Sequence, residues 1–313
     1  MKKMISPLLL LSAAILWGFS FVAQKATTIV PTFTLLFSRS IVAVFFLIPA
    51  VILFDRFSKN GRTLISIREK KIGITKRELI GGTVCGAFLF AASALQQAGI
   101  ANTDAGKTSF ITALYVVIVP IYGLLIGKKA PINAWLGIAI AVVGFYLLCI
   151  KDGFTIAPSD LLVFACAFAF ALQIVTVDML LPKCDGVRLS LVQFSAVTVF
   201  SLVTALIFEL PFVLSSIFEV LPQILFLGIG SSGIAYTLQI VGQKNSEPAV
   251  ASILLSLESV FGALFSALFL SERMSAKEYA GCAVVLAAVL ISEIDIKQLF
   301  KKAKTQSNHT DFN

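Results

Sequence analysis

Ten runs of mostly apolar residues follow one another along the chain, at roughly 6–25, 32–54, 79–98, 106–126, 133–150, 160–181, 189–208, 221–242, 248–270 and 277–295. Each is bounded by charge or by Pro, Asn or Gly turns. A bilayer-crossing helix needs about 20 such residues, because lipid offers the backbone no hydrogen bonds. One stretch, 209–220, fits either an extension of the seventh run or a segment along the interface. Composition bears on what else such a chain can be. It is 58% hydrophobic and only 13% charged, against about 25% charged in soluble domains. That leaves too few polar side chains to cover a soluble surface at 313 residues. A water-soluble enzyme, a disordered chain and a disulfide-stapled domain are excluded, and a net charge of +8 does not make the chain a nucleic-acid binder. The predicted fold class is an all-α integral membrane protein with ten transmembrane helices.

The first run follows Lys2 and Lys3 as a signal peptide would. It continues through Trp17 and Phe21 with no small-residue cleavage site, so a retained helix is expected. Placing the N-terminus in the cytoplasm puts 19 of the 25 basic residues on the inner side and five on the outer, with Arg39 inside a span. This positive-inside bias predicts cytoplasmic termini. Eight of the inner residues lie between Arg56 and Arg77, a segment that suits anionic lipid or a docked partner. Cys85, Cys149, Cys166 and Cys282 sit in apolar runs with no metal-ligand spacing, and read as small core residues. The single histidine, His309, lies in the polar tail. A triad, a Cys-His pair or an HExxH site within the spans is therefore impossible.

The two halves of the chain resemble one another. At a shift of 143, the segment Leu95 to Asp104 lies over Leu238 to Glu247, with Leu, Gln, Gly and Asn identical. After one residue of slippage Gly137 lies over Gly281. Near the start, Trp17-Gly18-Phe19 lies over Phe168-Ala169-Phe170 and Pro31 over Pro182. Five spans per half is an odd number, so the second half must cross in the opposite sense. Such inverted repeats recur in secondary transporters. The expected organisation is a first repeat over 1–150, a second over 159–295 and a cytoplasmic tail over 296–313.

Several short features occur in this order: Trp17-Gly18 and Lys25, Arg39, the Asn102-Thr103 turn, Pro120, Leu257-Glu258, Leu270-Ser271-Glu272 and Gly281. In that spacing the chain resembles the drug/metabolite transporter superfamily, in particular its ten-helix members with two EamA-type repeats. The resemblance spans about 6–295. It implies a permease for amino acids, other metabolites or sugars. The compact 313-residue form with short loops points to a bacterium, and so to its inner membrane. Two positions depart from the family pattern: Glu258-Ser259 stands where Glu-Pro is frequent, and Lys128-Lys129 where an acidic residue is frequent. Both bear on cargo rather than fold.

Ionisable side chains inside hydrocarbon cost about 2.5–3.5 kcal/mol on insertion scales, so they tend to face a cavity or a partner. Glu258, ten residues into the ninth run, and Arg39, about seven into the second, are the two well inside spans. Glu258 fits a carboxylate that binds an ammonium group or exchanges a proton; its structural alternative is a pair with Arg39 or a glutamine. Arg39 fits a clamp on a substrate carboxylate or a structural lock. Asp178, near an inner end, can snorkel to water. Gln24 and Gln173 are further candidate substrate contacts among glutamines that also include Gln96, Gln97, Gln193 and Gln239, all able to bond between helices. Trp17, Tyr115 and Tyr236 are aromatic candidates for a cavity wall, with plain packing as the alternative. Gly82-xxx-Gly86, and Gly228, Gly230 and Gly233, are small-residue surfaces for close helix contact. The segment from Ala101 to Thr108 nearly matches GxxxxGK[ST], but it joins two apolar helices rather than a strand and a helix, so it is not a phosphate loop.

Three function classes were weighed. A secondary transporter for a small solute, working by alternating access, accounts for the repeats and the intramembrane Glu258. A lipid or prenyl transferase would want clustered carboxylates at a membrane face, and no Asp-rich motif exists. A channel would want a filter or polar ring. The expectation is a non-enzymatic permease with no cofactor and no metal. It exports amino acids or related compounds, with import of sugars or other metabolites as the alternative on the same scaffold. Its expected partners are the bilayer, a small-molecule substrate and a coupling proton, and it is expected to be a monomer or weak homodimer.

Overall fold

The computed structural model describes residues 2–59, 74–149, 157–211, 214–244, 246–271 and 273–293. The polar tail with His309, most of the Arg56–Arg77 segment, and Asn245 and Glu272 lie outside the described residues. Ten helical segments carry the fold: α1 Lys2–Ala26, α2 Thr32–Lys59, α3 Lys76–Ile100, α4 Ala105–Leu125, α5 Ile132–Cys149, α6 Pro158–Leu180, α7 Gly186–Phe208, α8 Leu221–Gln243, α9 Pro248–Phe269 and α10 Ala276–Glu293. A six-residue helix, Leu214–Glu219, lies between α7 and α8. There is no strand among the described residues.

Eight of these segments are long and apolar enough to cross a bilayer. The two that differ from the sequence expectation do so for plain reasons. The apolar part of α5 is short, Ile132–Leu147, and α10 carries Lys277 and Glu278 in its first turn. They pack on one another through glycine: a Cβ on Gly144 would lie 3.0 Å from the Val285 amide nitrogen and 3.1 Å from the Gly281 carbonyl. The lipid-facing surface is what such a chain should show, with Phe45, Leu125, Phe208, Leu268 and Leu290 all more than half exposed.

Close contacts set the helix arrangement. Gly99 of α3 and Gly242 of α8, which are 143 residues apart, do the same work. A Cβ on Gly99 would meet Val163 and the Ser159 carbonyl of α6; on Gly242 it would meet Leu10 and the Ser6 carbonyl of α1. These paired contacts equate Leu10 with Val163, a shift of 153. The match of Trp17 to Phe168 read from the sequence is thus two residues out of register, and Trp17 corresponds to Phe170. The GxxxG of α3 is used within the chain, since Gly82 lies against Val192 and Gly86 against Gln193 and Ala196 of α7. Gly228 and Gly233 let α8 touch Arg39, Val42 and Phe46 of α2.

Helix ends are tied to neighbouring helices. The orphan carbonyls and amides at these ends need partners where water is scarce. Lys25 Nζ donates to the carbonyls of Ile100, Ala101 and Thr103 at 2.9–3.2 Å, closing the C-terminus of α3. Glu209 accepts from the amides of Phe33 and Thr34 at 2.8 and 2.7 Å, closing the N-terminus of α2. Glu78 accepts from Thr75 through one oxygen and from the Asp185 amide through the other, at 3.0 Å. Asp178 pairs with Lys128.

Two predictions follow from these contacts. Gly18→Ala places a Cβ 2.3 Å from the Phe261 Cβ and 2.9 Å from the Gly262 nitrogen, so α1 and α9 must separate. A loss of about 1–3 kcal/mol is expected. Gly123→Ala meets nothing nearer than 3.9 Å and should leave stability unchanged or raise it, by up to about 1 kcal/mol; melting of both variants in detergent checks the pair. Asp185 caps α7 by accepting from the Val187 and Arg188 amides. Burial pushes its carboxyl above the ordinary range, with the Glu78 charge adding to the effect. A folded-state pKa raised above the unfolded one means that stability is highest at low pH and is lost as pH rises through the folded value. Asp185→Asn keeps the cap acceptor without the charge. It should match or exceed the wild type at neutral pH and flatten the pH dependence of melting, whereas Asp185→Ala should lose about 1 kcal/mol.

Candidate functional site

Two helices of the interior are broken at equivalent places. In α4 the regular pattern is interrupted at Leu114, whose amide bonds back to Ile111 at 3.3 Å. In α9 the interruption falls at Ser256–Leu257, where the Leu257 amide bonds to Leu254, also at 3.3 Å. These are three-residue rather than four-residue hydrogen bonds, and tightened turns within a helix are frequent at hinges and sites. The two bonds are 143 residues apart. The residue after each break is Tyr115 in α4 and Glu258 in α9, so the duplicated chain brings a phenol and a carboxylate to equivalent positions. They face one another across the same space.

A third irregularity lies in α8, where Phe226–Ala235 winds as a wide π-helix. Its glycines allow the close approach to α2 described above, and Gly228 abuts the backbone at Arg39 itself. The loosened winding leaves the Ser231 carbonyl to accept the Trp17 indole N–H at 3.3 Å. Directly after the segment, Tyr236 packs its ring on Trp17 with centroids 4.7 Å apart, and on Phe194 at 5.3 Å.

All seven residues singled out from the sequence line one cavity: Trp17, Gln24, Arg39, Tyr115, Gln173, Tyr236 and Glu258. The cavity is narrow, with room of about 30 Å³ for water-sized groups. Arg39 is 5% and Glu258 4% exposed, yet no ion pair joins them. The Gln24 and Gln239 carbonyl oxygens are buried without a hydrogen-bond partner, and the Tyr115 hydroxyl and Glu258 Oε1 lie close to one another without a hydrogen bond of good geometry. Buried polar groups are normally satisfied, so a cavity edged by unpaired acceptors, with a guanidinium on another wall, is arranged to meet polar groups that the protein does not supply.

Gln173 has a different part. Its amide nitrogen donates to Gln193 at 3.0 Å and its oxygen accepts from Gln239 at 3.1 Å, linking α7, α6 and α8. Gln96 donates to Thr112 at 3.1 Å, and the Thr112 hydroxyl lies 3.7 Å from the Cys166 sulfur. Ser20, Phe21, Thr112, Phe170, Ile174 and Ser231 also line the cavity and were not singled out from the sequence. Helical period could have found most of them. Trp17, Ser20, Phe21 and Gln24 share one face of α1, and Phe170, Gln173 and Ile174 the matching face of α6. Lys107, in the segment that mimics a phosphate loop, is held by Asp160 at 2.6 Å beside Thr103. Among the described residues no three His, Cys, Asp or Glu side chains converge as metal ligands.

Residues 4–150 and 157–293 each match the EamA-like transporter family. The chain belongs to that family. This EamA-like transporter is 28% identical over 300 residues to an uncharacterized transporter of Archaeoglobus fulgidus, covering 94% of this chain and 88% of the relative. It is also 28% identical over 204 residues to an uncharacterized transporter of Methanothermobacter thermautotrophicus, covering 62% and 58%. A solved crystal structure shares its fold with a TM-score of 0.72 at 18% identity, over 94% of this chain and 98% of that one. With its apolar helices, the EamA-like transporter is a multi-pass membrane protein.

Gln173→Met, close to isosteric, strands the Gln193 oxygen and the Gln239 amide together. Each stranded group should cost about 1–3 kcal/mol, so the variant's melting temperature in detergent should fall clearly below that of Gln96→Met, which strands only the Thr112 hydroxyl.

Proposed function

We propose that this protein is a secondary carrier that exports amino acids or closely related compounds by alternating access. The observation that carries the reading is the presence, in one buried cavity, of a carboxylate and a guanidinium that do not neutralise each other. Two opposite charges left apart in a low-dielectric interior are costly unless something bridges them. A zwitterion does so, with its ammonium on Glu258 and its carboxylate on Arg39. The Gln24 and Gln239 oxygens and the Tyr115 hydroxyl add acceptors near the ammonium, and Trp17 and Tyr236 form an aromatic wall.

On this reading α5 and α10 are the fifth and tenth spans, and the chain is two inverted five-helix repeats. The equivalent packing of Gly99 and Gly242 supports that arrangement, as do the equivalent breaks before Tyr115 and Glu258. The breaks give each half a hinge beside the cavity, so that closing on one side can accompany opening on the other. The Lys and Arg bias supports cytoplasmic termini, in what we take to be a bacterial inner membrane. Export and proton coupling through Glu258 complete the proposal.

The test is flux in proteoliposomes with a panel of amino acids, with and without an imposed pH gradient. Saturable flux of a panel member is expected. Glu258→Gln should lower it by about tenfold or more, in keeping with the loss of a charged hydrogen bond, and should remove its response to the gradient. Arg39→Gln should raise KM more than it lowers the maximal rate. Folded Glu258→Gln protein carrying the same amino acid at the wild-type rate and with the wild-type pH response would overturn the proposal.

A further inference from the structure

Away from the cavity, the first turns of α3 and the last turns of α6 enclose an open surface groove. It holds about 570 Å³ and is lined by Ile80, Gly81, Val84, Thr176 and Leu180, with Lys76 and Arg77 at one end. Gly81 forms part of its floor: a Cβ there would lie 2.7 Å from a Leu180 methyl. Ile80 and Val84 are 55% and 41% exposed, so the groove opens on the surface that meets acyl chains. From Lys76 to Val84 it runs about 12 Å along the helix, cationic at the membrane boundary and apolar beyond.

The two cations are exposed, and among the described residues neither has a carboxylate partner. The nearest acid in sequence, Glu78, is buried and turned inward, one oxygen on Thr75 and the other on the Asp185 amide. The end of the groove therefore keeps its positive charge. We infer that this groove is a binding site for an anionic phospholipid, with the phosphate between Lys76 and Arg77 and an acyl chain along Ile80 and Val84. A soluble partner would have to cover apolar surface that lies within the hydrocarbon. A free phosphate would leave the groove itself empty. Basic pockets between membrane helices take anionic headgroups by this combination of charge and apolar flank. The inference concerns the outside of the bundle and is independent of the cavity and its cargo.

Native mass spectrometry of the delipidated full-length chain in detergent tests it, with phosphatidylglycerol and phosphatidylcholine of identical acyl chains titrated in turn. Phosphatidylglycerol should bind at one saturable site with at least tenfold preference. Lys76→Gln/Arg77→Gln should weaken that binding about tenfold or more, whereas Lys70→Gln/Lys71→Gln, the same change of charge nearby in sequence, should leave it intact. Ile80→Trp, a change on an exposed face, should weaken it with both cations present. The inference is overturned if the two double variants lose affinity equally, if phosphatidylcholine binds as tightly, or if inorganic phosphate at equal concentration displaces the lipid from the wild type. Elution of each variant as a single folded species in size exclusion separates these outcomes from misfolding.

Discussion

Inside a bilayer a backbone amide or carbonyl that leaves its helical partner finds no water to replace it. That constraint organises this protein. Helices α4 and α9 depart from regular winding only at Leu114 and Ser256–Leu257, and α8 only between Phe226 and Ala235, all three in the buried centre of the bundle. Some ends are closed from another part of the chain, as Lys25 closes α3 and Glu209 closes α2, and others by their own cap, as Asp185 closes α7. Unpartnered polar groups are buried at the cavity, on Glu258, Tyr115, Gln24 and Gln239, and also between the packed helices around it, as on Gln97, Gln193 and Gln243. The irregular backbone and the unpaired side chains are two consequences of the same rule.

Much of the fold is legible from hydropathy because a helix in lipid has a fixed length and an obligatory composition. The stretch at 209–220 was ambiguous for a physical reason: a short helix at the interface, Leu214–Glu219, needs neither the length nor the uniform apolarity of a span. α10 reads as a span in the sequence although its first turn is charged, with Lys277 exposed and Glu278 buried. Register between the halves was less legible. Trp17 and Phe168 match as letters, but glycine contacts depend on which carbonyl lies opposite, and those contacts pair Leu10 with Val163.

The candidate site was legible through its expensive residues. Glu258 and Arg39 stand out because charge inside a span is rare, and the large polar and aromatic side chains were conspicuous beside them. Ser20, Thr112 and Ile174 were not, since small hydroxyls and aliphatics are what any packed membrane helix contains. The breaks in α4 and α9 left no proline or glycine mark at the break itself. Pro120 lies five residues beyond Tyr115, and Gly262 four beyond Glu258. Both breaks show up only as geometry.

Duplication explains why the site is symmetric in position and asymmetric in chemistry. Tyr115 and Glu258 follow equivalent breaks, which on the proposed reading serve as hinges. Carboxylates at both positions would set two like charges against each other in a low-dielectric space, at a cost that rises steeply with proximity. A phenol opposite a carboxylate avoids that repulsion while keeping a hydrogen-bonding group on each hinge. The guanidinium then has to come from a different element. Arg39 does so from α2, where Gly228 lets the π-helical segment lie against its backbone. On the proposed reading, the separation of Arg39 from Glu258 is what a carrier requires: if the charges met, they would hold the cavity shut, and a cargo would have to break their pair before it could bind.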